Sequence, residues 1–139
     1  MYNPDKLGDL VIGVYKNLKT KVERDLKKYE IGMGQLQILL VFFNEIERSF
    51  TQNELVRALG VDKGNISRSL LKLSAKGYIE QVEGKKLYKL SEKGKQLKAD
   101  IISIFIDIDA SMTSEIEPIQ IDQTIQTLYK INKNLEEQI

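Results

Sequence analysis

Between Thr51 and Gly77 the chain is punctuated so closely that few arrangements other than two short, tightly linked helices are open to it. Thr51-Gln52-Asn53-Glu54 is a capping-box pattern, a hydroxyl at the N-cap with a glutamate three residues on. Leu55, Val56, Ala58 and Leu59 follow, then Gly60, which suits the left-handed residue that closes a helix. After Val61, Asp62 is a good N-cap for a second helix, which places Ile66, Leu70 and Leu73 on one stripe and stops at Gly77. Two capped helices joined by Gly60-Val61-Asp62 predict a helix-turn-helix.

The flanks extend this reading. Tyr78 to Val82 and Leu87 to Leu90 are β-prone runs around Glu83-Gly84-Lys85-Lys86, the pattern of a tight hairpin, and Ser91 is placed to cap a further helix. Upstream, Asn3-Pro4 reads as an N-cap with proline at the first helical position. Apolar residues from Leu7 to Tyr29 recur at three- and four-residue spacing, so residues 4–29 are expected as one amphipathic helix. Gly32 and Gly34 interrupt it, and Leu36 to Ile46 reads as a buried helix. Downstream, Ile102, Ile104, Ile106 and Ile108 alternate as in a strand, whereas Ile101, Phe105, Ile108 and Met112 fit a helical stripe, and a helix is expected. Pro118 interrupts the chain before a last stripe of Ile121, Ile125, Leu128, Ile131 and Leu135. The expectation is a single domain, 1–139, mainly α with a small β-hairpin wing. Within it, a winged helix-turn-helix lobe spans 33–91 between long helices at 4–30 and 92–139.

Composition narrows the chemistry. The 139 residues include no Cys and no His, which removes disulfides, thiol redox sensing and the commonest zinc ligand. The side chain most used for acid–base work near neutral pH is missing, and no Gly-rich phosphate loop or carboxylate cluster replaces it. Neither an enzyme nor a cofactor is expected. The longest charge-free apolar stretch, Ile38 to Phe43, is far short of the ~20 residues that span a bilayer. The first residues lack a signal-peptide pattern, so a cytoplasmic location without membrane contact is expected. The net charge of +1 conceals a strong asymmetry: residues 57–98 hold eleven basic and four acidic side chains, residues 99–139 two and eight. Such separation suits a polyanion-binding segment on an acidic scaffold, although a solvated lysine-rich surface has the same composition.

On a helical wheel, Gly64, Asn65, Arg68, Lys72 and Lys76 lie opposite Ile66, Leu70 and Leu73, with Ser67 at the margin. A helix in the major groove reads base edges with its first turns, where Asn suits adenine and Arg suits guanine. Asn65, Ser67 and Arg68 are therefore candidates for bases, Lys72 and Lys76 for phosphates, and Gly64 for close backbone approach. Lys63 falls nearer the core side of the wheel, where a phosphate contact is a weaker expectation. Lys85 and Lys86 at the hairpin tip are candidates for the adjacent minor groove, or simply keep the turn soluble. Thr51 and Gln52 start the first helix of the motif, whose amides suit a phosphate, although capping alone accounts for Thr51. These residues favour a sequence-specific DNA-binding regulator. A nonspecific architectural DNA-binding protein and a winged-helix protein-interaction module are the alternatives.

The run Thr51-Gln52-Asn53-Glu54-Leu55, with Leu59-Gly60-Val61-Asp62-Lys63, Arg68, Leu73, Lys76-Gly77-Tyr78-Ile79 and Leu90-Ser91-Glu92-Lys93-Gly94, resembles the MarR family of winged helix-turn-helix transcription regulators. The resemblance implies a homodimer clasped by its first and last helices, acting on a pseudo-palindromic operator on double-stranded DNA, usually as a repressor. The stripes carrying Leu7, Val11, Val14 and Leu18, and Ile121, Ile125, Leu128 and Leu135, suit that clasp, or burial within one subunit. The family's wing usually holds an Asp-x-Arg-Arg motif, and here the loop is cut to Glu83-Gly84-Lys85-Lys86, so its minor-groove arginine has no counterpart. Family members often respond to small aromatic ligands. Tyr15, Tyr29, Phe42 and Phe43 are candidates to line such a cleft, although core packing is the stronger expectation for them.

Overall fold

A computed structural model describes residues 3–139, with element order α1 (Leu7–Leu26), a 3₁₀ turn (Lys27–Tyr29), α2 (Met33–Asn44), α3 (Gln52–Leu59), α4 (Lys63–Ala75), β1 (Ile79–Gln81), β2 (Tyr88–Leu90), α5 (Glu92–Met112) and α6 (Pro118–Glu136). The chain forms two compact units, one through Phe105 and one from Ile106 to Ile139. The first contains α1 to α4, the hairpin and most of α5. The architecture is mainly helical with a two-stranded antiparallel hairpin, a winged helix-turn-helix with long helices before and after it.

The core of the first unit lies where α2, α3 and α4 meet. Leu36, Ile38, Leu39 and Phe42 of α2, Leu55 of α3, and Ile66, Leu70 and Leu73 of α4 are buried together with Val22 and Leu26 at the end of α1. Phe42 meets Phe50 edge to face, ring centroids 5.2 Å apart. Phe42 and Phe43 are thus core residues, which takes them out of the set of ligand-cleft candidates; Tyr15 is exposed and Tyr29 half-buried.

The local signals act largely as read. Thr51 Oγ1 accepts from Glu54 N at 3.1 Å while Glu54 Oε1 accepts from Thr51 N at 3.0 Å, so both halves of the capping box are present. Gly60 closes α3 at φ +63°, a left-handed conformation that a side chain would strain. Asp62 caps α4 through Asn65 N at 2.9 Å, and Ser91 caps α5 through Gly94 N at 3.0 Å. Gly94 permits an unusually close approach. A Cβ there would lie 3.0 Å from Leu90 Cδ2 and from the carbonyl carbon of Tyr78, and closer still to the Tyr78 oxygen.

Two features depart from expectation. The first helix begins at Leu7, because Asn3 and Pro4 instead form a turn in which Asn3 Oδ1 accepts from Asp5 N and Asn3 O from Lys6 N, both at 3.0 Å. The hairpin pairs Ile79 with Leu90, Glu80 with Lys89 and Gln81 with Tyr88, and it has a further partner. Phe50 and Tyr88 exchange backbone hydrogen bonds at 2.8 and 2.9 Å, lashing β2 to the residue just before the α3 cap.

Considerable apolar surface is exposed on the long helices. In the first unit, α1 exposes Leu7, Leu10, Val11, Ile12 and Val14, with Leu18 half-exposed. In the second, α6 has no buried residue and exposes Ile119, Ile125, Leu128 and Leu135, with Ile121 half-exposed. Among the described residues no helix is long and apolar enough to cross a membrane.

Candidate nucleic-acid interface

Helix α4 builds the candidate site. Burial of Ile66, Leu70 and Leu73 fixes its roll, and the opposite face, with Gly64, Asn65, Arg68 and Lys72, is exposed. Ser67 is half-buried at the margin, as the wheel indicates. Lys63 is exposed, not turned toward the core.

The first turns of α4 carry an ordered polar chain. Asp62 Oδ2 accepts from Asn65 Nδ2 at 2.6 Å, and Asn65 Oδ1 accepts in turn from an Arg68 Nη. The Arg68 guanidinium folds back over Gly64, where an added Cβ would sit 3.3 Å from one of its nitrogens and 3.3 Å from Asp62 Oδ1. Gly64 thereby leaves room for the arginine to lie along the helix. An amide has two N–H groups and two lone pairs, so Asn65 keeps one of each free. Arg68, with five N–H donors, keeps most of its own. Gln52 joins this cluster from α3, donating from Nε2 to Lys63 O at 3.2 Å. Gln52, Lys63, Gly64, Asn65 and Arg68 thus lie together at one end of the helix-turn-helix. Thr51 serves its capping box within the same turn of α3.

Electrostatically the face is open. Among the described residues no ion pair engages Lys63, Arg68, Lys72, Lys85 or Lys86. Lys85 and Lys86 are exposed at the tip of the hairpin, and behind them Lys89 pairs with Glu80 across the strands at 3.7 Å.

Lys76 is different. Its ammonium donates to Glu30 O and, at 2.8 Å, to Gln35 Oε1, and it is half-buried. Burial lowers its pKa, with the nearby Lys72 adding to that effect and Glu30 opposing it. Its ammonium thus ties the end of α4 to the segment between α1 and α2, unlike the open lysines of the face. The wheel places residue 76 on the flank of the helix, and only the fold reveals the left-handed turn at Glu30 that presents the carbonyl.

Two groups escaped the sequence reading. Arg48 bridges Glu45 and Glu54, both at 2.7 Å, and covers the Phe50 ring at 4.4 Å. Hydrogen bonds to Glu45 and Glu54 raise its pKa. It supports the α3 cap and is remote in role from α4. The other is Leu71, exposed in the middle of the outward face of α4. The same wheel contains it, but a search for hydrogen-bonding side chains passes it over.

The profile of the MarR family matches residues 31–86, the lobe just described. The chain is 24% identical over 132 residues to the HTH-type transcriptional regulator BilQ of Clostridioides difficile (strain CD3), covering 91% of this chain and 88% of that protein. Its fold is similar to that of a MarR transcriptional regulator from Methanosarcina mazei Go1, with TM-score 0.82, 23% identity, and 99% and 100% of the two chains covered. It is also similar to MepR of S. aureus in a complex with DNA, with TM-score 0.80, 21% identity, and 96% and 99% covered. The profile match on the lobe, the order of its capped helices and the hairpin behind them agree: residues 31–86 match the MarR family, and the chain has the winged helix-turn-helix fold of these solved structures.

Proposed function

We propose that the chain is a sequence-specific DNA-binding transcription regulator that works as a homodimer. The observation that carries this is the division of α4 into a buried stripe, Ile66, Leu70 and Leu73, and an exposed face of Asn65, Arg68 and Lys72 with no internal ion pair among the described residues. In this reading α4 enters the major groove. Arg68 addresses guanine and Asn65 adenine, with Ser67 beside them. Lys63 and Lys72 meet phosphates, and so do the amides that begin α3 at Thr51 and Gln52. Lys85 and Lys86 add charge from the wing without a reading arginine. MepR, solved on DNA, supports the DNA partner.

The exposed stripes of α1 and α6 support a dimer, since solvated apolar surface of that extent marks a protein contact. Two lobes then fall on half-sites of a pseudo-palindrome about one helical turn, ~34–36 Å, apart. Repression by occupancy, relief by a small aromatic ligand, and a cytoplasmic location rest on the resemblance of the lobe to the MarR family.

Selection of bound sites from a random duplex pool tests the reading. The expected result is one enriched palindrome, preferred over unrelated duplexes by ~10³-fold or more. Equal affinity for all duplexes would instead mark an architectural DNA-binding protein. A flat titration at low salt would mark a protein-interaction module.

A further inference from the structure

Large apolar side chains are exposed almost entirely on α1, α5, α6 and the link before α6. In the lobe from α2 to β2 only two such residues stand out among the described ones: Leu40, at 39% exposure, and Leu71, at 69%. Leu71 is the more exposed, and it lies on α4. At about 100° per residue it points within about 50° of the direction opposite the buried stripe, next to Arg68 and Gly64. It follows Arg68 by about 4.5 Å along the helix, little more than the 3.4 Å between base pairs.

A leucine cannot bond a phosphate or a base edge. The major groove offers one apolar group on the standard bases, the C5 methyl of thymine. Resting on the DNA-binding reading above, we propose that Leu71 is a specificity-determining residue that selects thymine, through that methyl, at a position beside the one Arg68 reads. The cationic and hydrogen-bonding neighbours orient the duplex, and Leu71 adds a contact that is favourable only where a methyl is present.

The test replaces each thymine of the selected duplex, one at a time, by deoxyuridine, which removes the methyl and leaves every hydrogen-bonding group. The full-length chain should lose about fourfold in affinity at one thymine per half-site, the factor that burying one methyl-sized group is worth. Leu71→Ala and Leu71→Gln should bind thymine and deoxyuridine equally at that position and keep the wild-type response elsewhere. Because Leu71 is exposed, both variants should retain the thermal stability of the parent. Wild-type binding indifferent to every methyl, or Leu71 variants with undiminished methyl sensitivity, would overturn the proposal and leave DNA binding intact. A Leu71 variant of changed oligomeric mass would show a protein contact instead, also overturning it. Failure to bind any duplex would remove the DNA-binding reading and this inference with it.

Discussion

Arg68 and Lys72 are one turn apart on the exposed face of α4, yet they should fail differently when removed. Arg68 is held in a hydrogen-bonded chain with Asn65 and Asp62, a fixed geometry suited to reading one base. Arg68→Ala should cost about 1–3 kcal/mol on the selected operator and relax preference at a single base pair, measured by titration against single-position variants. Lys72 is an exposed point charge with no ion pair among the described residues. Lys72→Ala should weaken all duplexes alike and flatten the log–log salt dependence by about 0.9 per lost contact. Operator affinity unchanged in Arg68→Ala would mean that Arg68 does not read a base. The outward face was legible from periodicity alone, because Ile66, Leu70 and Leu73 leave only one way to roll the helix. The hydrogen bonds of Lys76 were not legible because its partners, Glu30 and Gln35, lie more than forty residues away in sequence, beyond what a wheel describes.

At the scale of elements, what could be read were the local devices. The capping box at Thr51, the left-handed Gly60 and the caps at Asp62 and Ser91 depend on neighbours three or four residues away, so sequence contains them whole. Asn3-Pro4 carried the same signal and folded otherwise, since an Asn side chain satisfies a turn amide as readily as a helix amide. The capping box also sets an acid response. Hydrogen bonds from Thr51, then from Arg48, hold the Glu54 carboxyl below its ordinary 4.5. A carboxylate depressed on folding contributes stability in full above that value and loses it as pH falls through the lowered one. Glu54→Gln should therefore remove part of the stability loss that sets in as pH falls below 4.5 in denaturant melts, with an unaltered acid limb counting against the cap. At the start of α5, Gly94→Ala reverses a familiar rule. Alanine in a helix is ordinarily favoured over glycine by about 1 kcal/mol, but here its methyl meets the Tyr78 carbonyl. The exchange should cost about 1–3 kcal/mol by thermal melting, and a raised melting temperature would contradict the close approach.

For the molecule as a whole, the sequence shows apolar stripes on the terminal helices and cannot say whether they are buried at home or against a partner. Their exposure is the ground of the proposed dimer. Val14→Asp or Ile125→Asp should then convert a species of twice the chain mass into a monomer in sedimentation experiments. Such a charge placed in a contact should weaken association by about 3–5 kcal/mol. A monomeric wild type at micromolar concentration would remove the clasp from the proposal.

The lashing of Phe50 to Tyr88 has a consequence for the wing. Two three-residue strands are too little to persist alone in water. The hairpin borrows its permanence from a residue that also abuts the first turn of α3, so neither opens without loosening the other. The Phe50 and Tyr88 amides should exchange with deuterium at a common rate, as one small cooperative patch set behind the tip that carries Lys85 and Lys86.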